Sequence, residues 1–394
     1  MLPLQGIRIL DLTRLLPGPL CSLMLADLGA EVLKLEAPQG GDYARWFPPL
    51  REQMSAAFAA LNRNKRSLSL DLKHPSAVEA CLRLVEQVDI VIEGFRPGVM
   101  ERLGLSYETL KARNSGVIMC SISGYGQDGP MAQRAGHDLN YLARSGLLSL
   151  FGAHTNEAPS MPGVQIGDIA GGSYQAVSSI LAALFRRERT GEGAHCDVSM
   201  TEGLLPFLSM EFGNLNASEE VPIRGDDNIL RGGIPCYGIY QCGDGKALSV
   251  GSLEPKFWIQ FINVLGLPAL ASEQMETGAG KERVRAQVEA VLAQKTRDEW
   301  LEIFATIDAC VEPVLTLDEL AEDAHFVERG AFQTHEHPTE GSFVLPRSPF
   351  RMTDAEPPAH VGAPGLGEHT VDILKECGFD DEEIESLRQQ GCIL

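Results

Sequence analysis

Two hydrophobic periods alternate along the front of the chain. Short apolar runs of strand length recur at Gly6–Leu12 (GIRILDL), Glu31–Glu36 (EVLKLE), Ser67–Leu72 (SLSLDL), Val88–Phe95 (VDIVIEGF) and Val117–Ile122 (VIMCSI). Helical patterns fall between them: one follows the loop to Pro19 and ends near Gly29, and another follows Pro75. Strand, helix and strand in succession make a βαβ unit, and its repetition predicts a parallel sheet covered by helices, an α/β Rossmann-like arrangement. The first turn, TRLLPGP, is not the G-x-G-x-x-G fingerprint, because Gly18 stands alone between Pro17 and Pro19. That excludes NAD or FAD as the expected ligand.

The pattern then changes. A helix-rich stretch from Met200 to Phe212 leads to a glycine-rich segment, in which Tyr237–Gln241 and Ala247–Val250 read as two strands joined at Gly243-Asp244-Gly245. Helical patterns cover Pro255–Leu265 and Lys281–Phe304, so this part reads as a smaller α+β domain. After Phe332 the chain is rich in Pro and Gly without periodicity, and helical pieces return at Thr370–Cys377 and Asp381–Gln390. An irregular connection this long wraps a surface more readily than it fills a compact domain. The closing helices need such a surface to bury against.

Two short stretches carry acid-base side chains next to glycine. Gly167-Asp168 opens a helical pattern in which Val177, Ile180, Leu181 and Leu184 share one face, which places Asp168 near an N-cap. Arg186, Arg187 and Arg189 suit the other end of that helix before Gly191 and Gly193 stop it. Gly136-His137-Asp138 opens a second helix, with Leu139, Leu142 and Leu147 as its expected buried face. Backbone N–H groups at a helix start favour developing negative charge, which makes the Asp138 N–H a candidate oxyanion donor.

Composition narrows the partners. The 394-residue chain, 44% hydrophobic, has no run near the roughly 18 apolar residues of a membrane span, so no membrane insertion is expected. Its start, MLPLQGIRILDL, lacks a basic n-region and a small-residue cleavage site, which makes the cytoplasm the expected compartment. Nine cysteines without a CxxC pair argue against a disulfide framework and a zinc ribbon. A net charge of −21 repels nucleic acid, and an anionic small ligand needs a local basic cluster. NRNKRS supplies Arg63, Lys65 and Arg66, Lys73 follows, and Arg96 lies in GFRPG at the carboxyl end of an expected strand, where open α/β sheets bind ligands. Guanidinium and ammonium groups there suit a diphosphate or phosphate monoester.

Several long motifs occur together and in order: LDLTRLLPGPLCSLMLADLGAEVLKLEAP, NRNKRSLSLDLK, VIEGFRPGVMERLGL, GYGQDGP, ILAALFRRERTGEGAHCDVSM, DACVEPVLTLDEL and GLGEHTVDILKECGF. From Gly6 to about Gly391 the chain resembles the class III CoA-transferase superfamily. The resemblance implies an interlocked homodimer whose large Rossmann-like, CoA-binding domain (residues 1–200) is completed by the return segment and terminal helices of 326–394. A helical connection (201–229) and a small α+β domain (230–325) lie between. Within the superfamily, GHDLNYLARSG is similar to the α-methylacyl-CoA racemase branch, which carries His-Asp here and a catalytic Asp in the later Gly-Asp segment. This implies catalytic roles for His137, Asp138 and Asp168, and CoA contacts from Arg63, Lys65, Arg66, Arg96 and Tyr141. The implied reaction is two-base racemisation at the α carbon of a 2-methylacyl-CoA through an enolate, with coenzyme A as part of the substrate and no metal or prosthetic group. Transferases of the superfamily instead use the matching aspartate as a nucleophile, so CoA transfer through an Asp168 acyl anhydride is the alternative. They usually carry an aromatic residue where His137 stands. Two positions depart from the racemase pattern. Gln241 replaces an acidic residue expected to support the histidine, and Arg231 stands where Asp is common.

Overall fold

The computed structural model describes residues 1–152, 157–218, 221–222, 224, 228–355 and 360–394. Parts of the expected 201–229 connection and of the passage after Phe332 lie outside the described residues. Two compact units form: residues 1–145, 164–206 and 324–394 make the larger, and residues 146–163 and 207–323 the smaller. Residues 146–163, expected with the large domain, thus fall with the small one.

The larger unit is built on six parallel strands, β1 (Arg8–Asp11), β2 (Glu31–Glu36), β3 (Lys65–Ser69), β4 (Ile90–Glu93), β5 (Ile118–Ser123) and β6 (Ala194–Ser199), in the order β3-β2-β1-β4-β5-β6. The order reverses between β1 and β4, and the carboxyl ends beside such a reversal form the crevice of an open α/β sheet. Both faces of the sheet are covered. Leu10, Leu33, Leu68 and Val91 pack against Leu84 and Val85 and against Ile373, Leu374 and Leu387 of the terminal helices. On the other face Ile9, Val32, Ile90, Ile118 and Cys120 meet Leu25 of the Pro17–Asp27 helix and Val177 and Ile180 of the Gln175–Thr190 helix. The terminal helices therefore do bury their apolar sides, and the surface they use is this chain's own sheet.

Several elements differ from the periodicity. Strand β6 has the polar sequence AHCDVS because it is an edge strand with a half-open face. The passage after Phe332 is not wholly irregular: β10 (Phe332–His337) and β11 (Gly341–Pro346) form an antiparallel hairpin. In the smaller unit β7 (Tyr237–Gln241), β8 (Ala247–Gly251) and β9 (Val311–Pro313) make an antiparallel sheet. The helical pattern from Lys281 to Phe304 is two helices, Gly278–Leu292 and Arg297–Phe304. The second begins at a Thr296/Glu299 capping box, in which each side chain satisfies the other's backbone N–H. Trp258, Phe261, Val284, Val288 and Leu292 form the core of this unit. Among the described residues no helix is long and apolar enough to cross a membrane.

Candidate active site

Asp138 begins an eight-residue helix, Asp138–Ser145, whose buried side is Tyr141, Leu142 and Ser145. Leu139, expected to be buried, is 40% exposed. His137 precedes the helix with its side chain exposed. Its backbone is fixed reciprocally by Asn140. The His137 N–H donates to Asn140 Oδ1 at 3.0 Å, and the Asn140 N–H donates to the His137 carbonyl at 2.8 Å. The Asp138 N–H, at the first helical position, has no acceptor among the described residues. It is an orphan donor of the kind that a helix start offers to an anion.

Tyr141 supports this loop from beneath. Its hydroxyl donates to the Gly136 carbonyl at 2.5 Å, and its ring meets Tyr125 edge-on at 5.3 Å. A Cβ on Gly136 would lie 2.7 Å from the Tyr141 ring, so only glycine lets the loop sit this low. Tyr141 is 6% exposed and its hydroxyl is held by the Gly136 carbonyl, which supports the loop from beneath.

Asp168 lies in a π-helical turn, Gly167–Tyr174, that runs directly into the Gln175–Thr190 helix. The expected N-cap role is not observed, because Asp168 and its neighbours already have helical geometry and its carboxylate caps nothing. Wide turns of this kind interrupt the regular ladder and are frequent at functional sites. Across the turn, the Asp168 N–H donates to Asp138 Oδ1 at 3.0 Å. Gly167 makes this approach possible: a Cβ there would stand 3.0 Å from the same oxygen. His137, Asp138 and Asp168 are thereby joined through one peptide bond and one hydrogen bond.

The Asp168 carboxylate itself has no hydrogen-bond or ion-pair partner among the described residues. Burial pushes its pKa up to about 7, and the nearby Asp138 charge adds to the shift. Arg96 lies close enough to act on the same neighbourhood. The Tyr141 phenol is pushed up to about 12, chiefly by burial and then by Asp168, while Arg96 pulls it down.

The candidate cations separate into two groups. Arg63 is buried and bonded to Asp27 at 2.8 Å. Lys65 is buried beside Asp11 at 3.4 Å and also donates to Pro19 O and Asn62 Oδ1, each at 2.9 Å. Arg66 pairs with Glu31 at 2.7 Å and with Glu376 at 2.8 Å. Each of the three is held against carboxylates of this chain. Arg96 is exposed and has no such partner among the described residues.

Near Arg96, at the carboxyl ends of β1 to β4, lies a cleft of about 230 Å³ with apolar walls including Leu12, Leu35, Leu72 and Phe95. Arg14 and Lys73 also line it. Arg14 donates to the Tyr43 hydroxyl at 2.9 Å and lies over the rings of Tyr43 and Phe95, at 5.1 and 5.3 Å, with no carboxylate held against it among the described residues. Arg14 was missed from sequence. The available signal was its place in the first βα turn, where an open sheet exposes its ligand side.

The sequence pattern of CoA-transferase family III matches residues 4–370. The chain is 38% identical to the human α-methylacyl-CoA racemase over 391 residues, 99% of this chain and 97% of the relative. It is 34% identical to the mouse succinyl-CoA:glutarate CoA-transferase, over 100% of this chain and 91% of the relative. A crystal structure of a CAIB/BAIF family protein from Brucella suis superposes with a TM-score of 0.83 at 33% identity, covering 95% of this chain and 99% of that one. The chain belongs to CoA-transferase family III.

Family III thus includes both a racemase and a transferase similar to this chain along nearly its whole length, so membership leaves the reaction to the site. The family also gives the cleft a ligand class to be tested against, coenzyme A. Removing the free guanidinium in Arg96→Ala should weaken CoA binding by about tenfold or more, the cost of one charge-assisted hydrogen bond. Isothermal titration with CoA checks this, and wild-type affinity in the variant would withdraw Arg96 from the ligand.

Proposed function

We propose that this family III enzyme racemises the α carbon of a 2-methylacyl-CoA, with Asp168 and His137 as the two bases. The α C–H of a thioester is too weakly acidic for an unaided carboxylate, so the enolate oxygen needs a donor as charge develops. The unpaired Asp138 N–H supplies one in this reading. Inversion needs a base on each face of the planar enolate, one removing the proton and one returning it. The observation that carries the proposal is Asp168, an unpaired and desolvated carboxylate with a pKa raised to about 7. Such a group exchanges protons readily near neutral pH.

Asp138 is a positioning residue here, holding the Asp168 backbone and raising its pKa by like charge. Coenzyme A enters as part of the substrate, with Arg14, Lys73 and Arg96 proposed for its phosphates and the apolar cleft for its base. Enolate chemistry on a thioester asks for no further prosthetic group. The proposed assembly is a homodimer. It is supported by the Ser209–Ser218 helix, which has no buried residue and leaves Met210 65% and Phe212 52% exposed. Light scattering in solution tests this, and a stable, active monomer would contradict it.

The chemistry is tested by incubating a single-enantiomer 2-methylacyl-CoA with the protein in heavy water and no acid acceptor. Deuterium should appear at the α carbon as optical purity falls. The transferase relatives favour the second reading, CoA transfer through an Asp168 anhydride, which predicts no exchange without an acceptor and movement of CoA once a free acid is added. The exchange rate should also rise with pH through about 7, because Asp168 must be ionised to remove the proton. Asp138→Asn keeps the Oδ1 acceptor but removes the like charge that disfavours ionisation. Its rising limb should lie at lower pH than the wild type's, and an unmoved limb would detach that limb from Asp168.

A further inference from the structure

One buried acid is not used by the mechanism. Glu93 ends β4, is 3% exposed, and has no cation against it among the described residues. Its carboxylate accepts the Phe95 N–H at 2.7 Å, a contact that closes back over Gly94 two residues along the chain. On the neighbouring strand the register places Ser121 opposite Glu93, and the Ser121 hydroxyl faces the same carboxylate. Ser121 Oγ lies 2.9 Å from His195 Nε2 on β6, and the His195 ring is stacked on Tyr107 at 5.4 Å. With Ser121 donating to Glu93, its oxygen is left to accept from His195. The charged groups that act on Glu93 most are Glu101 and Asp197, both acidic, so among the described residues no cation is held against it.

What the carboxylate does hold is the turn. Gly94, Phe95 and Arg96 connect the end of β4 to Pro97, and the far side of the connection is tied separately. Gln133 Nε2 donates to the Pro97 carbonyl at 3.0 Å, and the Val99 N–H donates to the Arg96 carbonyl at 3.1 Å. On the near side Glu93 is the side-chain tie. Phe95 walls the apolar cleft and carries Arg14 over its ring, and Arg96, which follows it, is exposed. A side-chain acceptor that holds a backbone N–H two residues on fixes the conformation of such a turn.

We infer that Glu93 is a positioning residue for nucleotide-end recognition: by holding the Phe95 N–H it sets the turn that presents Phe95 and Arg96 to coenzyme A. The inference rests on the CoA assignment of the cleft but not on the racemase chemistry. Glu93 touches no substrate. It acts through the backbone of the next two residues.

The test is isothermal titration of the full chain with CoA and, separately, with pantetheine, which lacks the nucleotide and its phosphates. Glu93→Ala should weaken CoA binding by roughly tenfold to a hundredfold while pantetheine binding stays near the wild-type value. Glu93→Gln, which keeps an acceptor for Phe95, should recover most of the CoA affinity. General damage would weaken both ligands and would not be rescued by glutamine. Should Glu93→Ala fail to fold, Glu93→Asp withdraws the carboxylate by one methylene, and the same selective loss of CoA is expected from it. Unchanged CoA affinity in the folded alanine or aspartate variant overturns the inference, as does an equal loss of CoA and pantetheine. A wild type that binds no CoA would sink the cleft assignment together with this inference, which separates the two failures.

Discussion

Asp168→Asn should reduce α-proton exchange from the enantiomer whose proton faces Asp168 by about 10²- to 10⁴-fold, the span set by loss of a positioned base, while exchange from the face served by His137 remains. Asparagine has nearly the same shape and leaves the backbone N–H that Asp138 receives at 3.0 Å, so the geometry of the turn is retained. What is lost is an acid-base group whose pKa has been raised to about 7 by burial and by Asp138. The same change removes a desolvated carboxylate beside a like charge. The variant should therefore unfold no more easily than the wild type at pH 7, and thermal denaturation will show whether it does. His137→Ala should abolish racemisation while leaving exchange from the face served by Asp168. Mass spectrometry of the α position in heavy water reads both variants. An Asp168→Asn protein that still exchanges both enantiomers at the wild-type rate removes Asp168 from the chemistry. One that loses only acceptor-dependent CoA transfer, against a wild type without exchange, turns the reading to the anhydride mechanism.

Much of the sheet was legible because its strands are buried on both faces. Val32-Leu33 and Ile90–Ile92 are apolar on consecutive positions, as covered parallel strands require. β6 and β10, which the pattern does not announce as strands, share a physical reason. β6 alternates open and buried positions at the sheet edge, and β10 reads FQTHEH because only His335 is buried in it, so neither shows a continuous apolar run.

That the His137 and Asp168 stretches meet was legible for a different reason. Glycines beside His137 and Asp168 marked close backbone approach, and the Gly167 contact with Asp138 is such an approach. Their environment was not legible. The bond between Asp138 and Asp168 joins residues 30 apart in the chain, and no local pattern announces it. The partners of the basic residues were hidden in the same way. Sequence displays the charge of Arg63, Lys65 and Arg66, but their partners Asp27, Asp11 and Glu376 lie 36, 54 and 310 residues away. Arg14 and Arg96 look no different in sequence and differ only in having, among the described residues, no carboxylate held against them.

That distinction gives the other large effect. Lys65→Met should destabilise the fold by about 3–5 kcal/mol, the usual cost of leaving one member of a buried ion pair without its partner. Lys65 and Asp11 are both fully buried, and the lysine also satisfies Pro19 O and Asn62 Oδ1. Burial lowers the Lys65 pKa to about 8, so desolvation is already working against the charge that Asp11 holds in place. Asp11 would keep Ser22, at 2.5 Å, and the Thr13 N–H, at 2.9 Å, but would lose a full positive charge. The double variant Asp11→Asn with Lys65→Met removes both charges and should recover part of the loss. Pairs replaced together cost less than pairs broken. Urea unfolding curves of the two variants check the argument. A Lys65→Met protein that unfolds like the wild type but no longer binds CoA would return Lys65 to the ligand and show that its contacts with Asp11, Pro19 and Asn62 are incidental.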